Sequence, residues 1–108
     1  MKRVVITGMG AVTPVGNNLE DFWKAIKSGK NGITAVTRFD TEGFPCKMAG
    51  EVKDFDATEY IDKKEARRMD RFTQFGIAAA KQAIADSGID FDTVDLDRTG
   101  VIVGCGIG

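Results

Sequence analysis

The sequence predicts an α/β protein, and three observations support this class. A β-branched run, Arg3–Thr7, opens the chain, and a second apolar run, Gly100–Val103, closes it; both stop in glycines. Two helical patterns lie between them, near residues 18–29 and 62–88. Uninterrupted apolar runs suit strands that are covered on both faces. We therefore expect two parallel strands joined by a right-handed helical crossover.

Two strands of this kind do not form a sheet that is stable alone, because their remaining edges and faces need partners. A chain of 108 residues can bury only a modest core. We therefore expect the chain to be one small segment at the beginning of a larger fold.

The glycines after the first run, in "VVITGMGAVTPVG", raise the question of phosphate binding. A strand, a Gly-rich turn and a helix open the dinucleotide-binding fold. Its G-x-G-x-x-G fingerprint needs a third glycine three residues after Gly10, where Thr13 stands. A nucleotide-binding module therefore remains only a minor alternative, and measurable NAD(P) or ATP affinity would be its signature.

The first helix is predicted from its ends and from its apolar spacing. Asn18 is a favourable N-cap, and Gly29 is a favourable stop. The apolar residues recur on one helical face, and we assign Trp23 and the phenylalanines of the chain to the core. The following residues, 28–56, are rich in glycine and turn formers. We expect mostly loop there, with short strand-like fragments.

The second helix is expected to begin at Asp62 and to end at Gly88, with Glu65 as the capping-box partner. A break into two helices is possible near Met69 or Asp70. The half after Phe72 has few polar positions, so we expect it to be nearly all buried. Its small residues from Gly76 to Ala80 would let another backbone approach closely.

The composition excludes several classes of function. The formal net charge of -1 argues against a nucleic-acid binder. No apolar run approaches the ~18 residues of a membrane span, and no signal-peptide pattern opens the chain. We therefore expect a cytoplasmic protein with no membrane contact.

The chain contains no histidine. A Ser-His-Asp triad, a Cys-His pair and a His-ligated metal site cannot be assembled from these residues alone. We expect no metal, no cofactor and no catalytic residue within the chain. Cys105, in "VGCGIG", is interpreted as a small buried cysteine, and Cys46 as a loop cysteine without a role.

The strongest signal from the residues themselves is a basic cluster within "KKEARRMDR". On a single helix its five cations fall within an arc of roughly 140°. Lys63 and Lys64 would lie in the first turn, where the helix dipole disfavours cations. An ordinary solvated face is one interpretation, and a docking surface for an acidic partner is the other. The cluster consists of Lys63, Lys64, Arg67, Arg68 and Arg71.

Three separated motifs carry a family resemblance that covers essentially the whole chain. They are "RVVITGMGAVTPVGNNLEDFWKAIKSGKNGI", "KKEARRMDRFTQFGIAAAKQAIADSG" and "GVIVGCGIG". In this order they resemble the N-terminal segment of β-ketoacyl-acyl-carrier-protein synthases. "TPVGNN" and "KKEARRMDRF" resemble the type II elongating members more than type I enzymes or polyketide synthase domains.

The resemblance implies a thiolase-like fold, layered α/β/α/β/α and incomplete in this chain. Residues 1–108 would then be the N-terminal segment of the first half of a ketosynthase domain, with no second domain present. It also implies a homodimer, and a reaction that elongates fatty acids. In that reaction an acyl chain on a cysteine is condensed with malonyl-carrier protein, carbon dioxide is released and the chain grows by two carbons.

The resemblance also assigns residues. It places the acidic carrier-protein contact on Lys64, Arg67 and Arg68, and it makes Ile107 a gate beside the acyl pocket. The nucleophilic cysteine of the family lies in a motif like T-A-C-x-S-G, which Cys105 does not match, and two histidines follow it. None of these is present, so we expect the 108 residues alone to be inactive. A non-catalytic partner subunit of a polyketide system is the rival interpretation.

Overall fold

The computed structural model describes residues 1–108. It contains three α-helices and one two-stranded antiparallel hairpin, in the order α1 (Leu19–Ser28), β1 (Ile33–Ala35), β2 (Met48–Gly50), α2 (Lys63–Ala66) and α3 (Arg71–Ser87). Short 3-10 turns lie at Ala57–Glu59 and Leu96–Arg98. The chain divides into two compact units: the first combines Met1–Gly10 with Ala57–Gly108, and the second is Ala11–Asp56.

In the second unit, α1 begins and ends where the sequence predicts. The Asn18 side chain accepts a hydrogen bond from the backbone N–H of Asp21 at 2.9 Å. Gly29 adopts the left-handed conformation, with φ of 73°, and closes the helix. A tight turn before the cap joins Thr13 and Gly16 through two backbone hydrogen bonds, of 2.8 and 3.2 Å. Local residue chemistry is therefore enough to position this helix.

The hairpin of the second unit pairs β1 with β2, and Ile33 lies opposite Gly50. Beyond β1, the Glu51 carboxylate accepts hydrogen bonds from the Thr37 hydroxyl at 2.9 Å and from the Thr37 backbone N–H at 3.1 Å. The rest of residues 28–56 is mostly loop, as predicted.

In the first unit the long helical pattern is broken, at the point where a break was considered. The Asp62 carboxylate caps α2 by accepting from the backbone N–H groups of Lys64 and Glu65, at 3.0 and 3.4 Å. Asp70 is extended and precedes α3. Gly88, with φ of 66°, ends α3. The predicted ends are confirmed.

Gly8 and Gly10 pack against the C-terminal half of α3. A Cβ added at Gly10 would overlap the carbonyl oxygen of Ala79 and lie 2.8 Å from Cβ of Gln82. A Cβ added at Gly8 would lie 2.5 Å from the backbone nitrogen of Ser87. The close approach expected on α3 therefore occurs later along the helix than Gly76, beside which an added Cβ meets no atom within 4 Å.

The two predicted parallel strands are not formed. Residues 3–7 and 100–103 carry no strand pairing, and the paired strands are instead the antiparallel β1 and β2. Their side chains are exposed, with Val4 at 92% and Ile102 at 100%. A strand is defined by its ladder of hydrogen bonds, and an apolar run without a neighbouring strand or a covering layer has neither a ladder nor burial.

The assignment of the aromatic residues to the core was also wrong. Trp23 is 57% exposed, and Phe39, Phe44, Phe72 and Phe91 are exposed as well. The second half of α3 is not nearly all buried, because Ala78 is its one buried residue. Periodicity identifies the face that is suited to burial, but burial needs a second surface. The buried apolar residues are Ala25, Ile61, Ala66 and Ala78.

None of the helices has both the length and the apolar character needed to cross a membrane.

Candidate functional site

The candidate site is a basic corner where α2 turns toward α3, formed by Lys63, Lys64, Arg67 and Arg68. Asp62 fixes the start of α2, so Lys63 and Lys64 occupy its first turn as predicted. After the four residues of α2 the backbone keeps turning, since the N–H of Arg68 donates to the carbonyl of Glu65 at 3.0 Å. The two arginines therefore lie within the corner itself.

The fifth cation of the predicted face belongs to a different element. Arg71 is the first residue of α3, and the extended Asp70 separates it from the basic corner. Its guanidinium carbon lies 4.9 Å from the centroid of the Phe75 ring, a cation–π contact. The arc calculated for one continuous helix therefore does not describe Arg71, because the helical phase is interrupted before it.

All four cations of the basic corner are exposed, and none of them forms an ion pair within the chain. An exposed ion pair is found elsewhere, on α1, where Lys24 Nζ lies 3.0 Å from the carboxylate of Glu20. That hydrogen bond raises the pKa of Lys24 above its usual 10.5. No ion pair of this kind forms in the basic corner, where Asp62 and Glu65 are the neighbouring carboxylates, so its four cationic groups remain available to solvent and to a partner.

The corner is anchored to α3 by side chains that sequence reasoning did not identify. Gln74 Nε2 donates to the carbonyl oxygen of Ala66 at 2.9 Å. On the other side of α2, Lys81 Nζ donates to the carbonyl of Tyr60, and Gln82 Nε2 donates to the Tyr60 hydroxyl at 3.0 Å. These contacts join residues 8 to 22 positions apart. The spacing of neighbouring residues in the sequence does not predict these contacts.

Ile107 lies in the C-terminal tail, which has no regular secondary structure, and its side chain is 93% exposed. The Cys105 thiol donates to the carbonyl of Ile107 at 3.5 Å. A Cβ added at Gly108 would lie 3.2 Å from Cζ of Phe72, so the end of the tail reaches the start of α3. Residues of this chain do not enclose Ile107.

Both cysteines are free and exposed. The interpretation of Cys105 as a buried cysteine is therefore wrong, for the same reason as for the neighbouring apolar run: no layer covers this tail. Cys46 lies in the loop of the second unit, as expected, and its thiol donates to the carbonyl of Met48 at 3.5 Å.

The second unit contains an open groove of about 770 Å³. Two of its lysines are engaged within the chain, because Lys24 pairs with Glu20 and Lys53 Nζ donates to the Thr34 hydroxyl at 2.9 Å. Gly8 and Gly10, the two glycines of the fingerprint that suggested a nucleotide, do not line this groove. The lining residues are Thr13, Pro14, Val15, Gly16, Asn17, Asp21, Lys24, Ala25, Ser28, Lys30, Asn31, Gly32, Thr34, Lys53 and Asp54.

The family comparison covers the whole chain. Residues 1–108 match the family model described as the N-terminal domain of β-ketoacyl synthases. The chain is 51% identical over 107 residues to a 3-oxoacyl-acyl-carrier-protein synthase 2 of Synechocystis, and 52% identical over 107 residues to one of Staphylococcus aureus. Each match covers 99% of this chain and 26% of the relative. The chain thus spans about a quarter of the length of these relatives.

Solved structures give the same result for the fold. The ishigamide ketosynthase/chain length factor aligns with a TM-score of 0.73 and 36% identity, over 82% of this chain and 22% of that one. A type II polyketide ketosynthase, solved in complex with its acyl-carrier protein, aligns with a TM-score of 0.59 and 31% identity, over 84% of this chain and 24% of that one. The predicted fold class is confirmed.

These matches converge on one family, although the individual strands of its sheet are not formed here. The chain belongs to the β-ketoacyl synthase family, whose N-terminal domain it matches, and it is a partial α/β segment of the ketosynthase, thiolase-like fold.

Proposed function

We propose that this chain is the N-terminal segment of the first half of a condensing enzyme that elongates fatty acids, and that its basic corner docks an acidic acyl-carrier protein. The observation that carries the proposal is the set of exposed, unpaired cations at Lys64, Arg67 and Arg68. The close relatives named as synthases of this kind, and the neighbour solved with its carrier protein, support it.

The proposed reaction is a decarboxylative Claisen condensation. An acyl group is held as a thioester on an enzyme cysteine, and malonyl-carrier protein loses carbon dioxide to give a carbanion. The carbanion attacks the thioester carbonyl, and the cysteine thiolate leaves. The chain offers no histidine, and Cys105 does not stand in the family's nucleophile motif. The contribution of these residues is therefore binding, and the reacting groups belong to other parts of the enzyme.

The physical reason for the docking assignment is electrostatic. A carrier protein with an acidic surface is steered by a cluster of cations that have no intramolecular partners, and it gains charge-assisted hydrogen bonds when it arrives. Two of the cations are arginines, whose guanidinium groups form paired hydrogen bonds with carboxylates. An anchored corner also loses less entropy on binding than mobile side chains on a loop.

The test is a double charge reversal, Arg67→Glu with Arg68→Glu, in a full-length synthase that contains this segment. We expect the KM for carrier-linked substrates to rise by about tenfold or more at low salt, and its dependence on salt to flatten. Acylation by small thioesters should change little, because these substrates do not need the corner.

A matched control reverses the same number of charges in the second unit, with Lys30→Glu and Lys47→Glu, both at exposed positions. This control separates a local contact from a change in net charge. If the carrier-protein KM is unchanged in the arginine variant, or rises equally in the control, the docking assignment is wrong. The basic corner is then an ordinary solvated surface.

We propose further that Ile107 borders the acyl pocket and acts as its gate. Its apolar side chain is almost fully exposed in this chain, which supports a position that other parts of the enzyme and an acyl chain cover.

We also propose a homodimer located in the cytoplasm. The large exposed apolar surface of the chain supports assembly with further protein.

A second candidate is a non-catalytic, ketosynthase-like partner subunit of a polyketide system. The match to a structure described as a ketosynthase/chain length factor favours it. The residue at the family's nucleophile position in the whole protein distinguishes the candidates, because a cysteine there supports the condensing enzyme and its replacement supports the partner subunit.

A further inference from the structure

We infer that Gln74 is a positioning residue for the basic corner, and that its side-chain amide fixes the direction in which Arg67 and Arg68 leave α2. The inference rests on the proposed function, since it concerns how the proposed carrier-protein surface is held. Gln74 carries no charge and is itself half-buried, so its role is exerted through the corner and not by contact with the carrier protein.

Taken alone, α2 is too short to be a stable helix. It has four residues, and it is closed by the hydrogen bonds from the N–H of Ala66 to the carbonyl of Asp62, at 2.8 Å, and from the N–H of Arg67 to the carbonyl of Lys63, at 3.3 Å. A single turn is not stable in water, because nucleation costs more than so few bonds return. The orientation of α2 must therefore come from its contacts with the 3-10 turn Ala57–Glu59 and with α3.

The C-terminal end of α2 is in contact with α3. The carbonyl of Ala66 belongs to the last helical residue, and such carbonyls have no partner within a helix. Here that carbonyl accepts from the backbone N–H of Met69 at 3.1 Å and from Gln74 Nε2 at 2.9 Å. The Gln74 bond crosses from α3 to α2, and Arg67 and Arg68 are the residues that directly follow the carbonyl it holds.

The other end of α2 is held separately. Tyr60 precedes α2, and it receives hydrogen bonds from Lys81 and Gln82 further along α3. Residue 60 thus lies beside residues 81 and 82, and residue 66 lies beside residue 74, so α2 runs antiparallel to α3. Loss of the Gln74 bond would free the end that carries the arginines, while the Tyr60 end stays attached.

A corner that is free at one end populates the docking orientation for only part of the time. The apparent affinity for a partner falls in proportion to that population. Removal of one hydrogen bond of ordinary net strength changes the equilibrium constant between the two orientations by about fivefold, which is the upper limit of the resulting loss in apparent affinity. We therefore expect an effect on carrier-protein affinity without any change in the charge of the surface.

The experiment replaces Gln74 with methionine, which keeps the length of the side chain and removes the donor, in a full-length synthase that contains this segment. We expect the KM for malonyl-carrier protein to rise by about two- to fivefold. The kcat, and the rate of acylation by a small thioester, should stay near the parent values. Amide hydrogen exchange in residues 63–69 should become faster. If Gln74→Met does not fold, Gln74→Leu with the same two measurements takes its place.

The matched control is Gln82→Met, which removes the same amide from the same helix at the Tyr60 end. It should leave the carrier-protein KM near the parent value. An equal rise in both variants would overturn the inference, because it would indicate general loosening of the α2–α3 pair. Unchanged KM and unchanged exchange in Gln74→Met would overturn it too.

The double variant Arg67→Glu/Arg68→Glu, measured in parallel, distinguishes failure of the positioning role from failure of the docking function. If it weakens carrier-protein binding and Gln74→Met does not, the positioning role is wrong and the docking surface stands. If neither variant changes the KM, the proposed docking function fails, and the inference fails with it.

Discussion

Gly8 and Gly10 illustrate how one residue type can have two explanations that the sequence does not distinguish. Glycines after an apolar run are compatible with a phosphate loop, and the missing third glycine only weakens that hypothesis. In the structure the Cα atoms of both residues face the backbone of α3, at Ala79 and Ser87. The absence of a side chain is used to bring two backbones together, and this gives no support to a nucleotide site.

We predict that Gly10→Ala destabilises the first unit by about 1–3 kcal/mol, the usual cost of forcing an extra methyl group into a packed contact. The added Cβ would overlap the Ala79 carbonyl, and a helix backbone cannot yield as a flexible side chain can. Urea denaturation of the protein and its variant measures the difference. Gly76→Ala is the control, and it is expected to change the free energy of unfolding in the opposite direction.

Gly76 lies within α3, and a Cβ there meets no atom within 4 Å. Alanine should therefore stabilise the helix by about 0.5–1 kcal/mol, because glycine loses more backbone entropy on folding. Destabilisation of similar size in both variants would contradict the packing role assigned to Gly10.

At the scale of elements, the best predictions concern helix ends. The predicted caps are found at both ends of α1, before α2 and after α3; they are Asn18, Gly29, Asp62 and Gly88. Caps can be predicted because they depend on a residue and its close neighbours in the chain. The contacts that orient α2 on α3 were not predicted. They join Gln74 with Ala66 and Tyr60 with Gln82, and pairings of that kind depend on how two helices lie side by side.

The end of the hairpin gives a pH-dependent prediction. Hydrogen bonds from Thr37, the hydroxyl first, and from the backbone of Arg38 hold the pKa of Glu51 below its ordinary value of 4.5. The carboxylate form is therefore favoured in the folded state. Its contribution to stability is fully present above pH 4.5 and is lost as the pH falls through the lowered pKa.

An NMR titration of the Glu51 carboxyl carbon checks this prediction. The midpoint should lie below 4.5 in the parent protein. It should rise in Thr37→Val, which keeps the shape of the side chain and removes the hydroxyl donor. Identical midpoints in the two proteins would show that the hydroxyl does not stabilise the ionised form.

At the scale of the whole molecule, the dominant feature is apolar surface that the chain does not cover. Val4, Ile6, Val101 and Ile102 are all more than four-fifths exposed, and they lie in the two runs that the sequence identifies as buried strands. Large exposed apolar surfaces in proteins mark sites of contact with other protein. The match to about a quarter of each relative's length is consistent with this surface having partners in a larger protein.

We predict that the purified 108-residue chain shows no condensing activity. The proposed reaction needs a cysteine in the family's nucleophile motif and two histidines, and the chain has no histidine. The measurement is the release of carbon dioxide from malonyl-carrier protein in the presence of an acyl thioester, with a full-length synthase as the positive control. Turnover by the chain alone would contradict the mechanism proposed here.

The sequence by itself determined the helical segments, their caps, the basic residues and the family, and it offered the break before α3 as one of two alternatives. Each of these depends on residues that are near neighbours in the chain or on motifs read in order. Tertiary structure alone decided that Gly8 and Gly10 pack against α3, that Gln74 donates to the carbonyl of Ala66, that Arg71 stands apart from the basic corner, and that the two apolar runs remain unpaired. The physical reason is that burial and pairing are properties of two surfaces, and a sequence pattern describes only one of them.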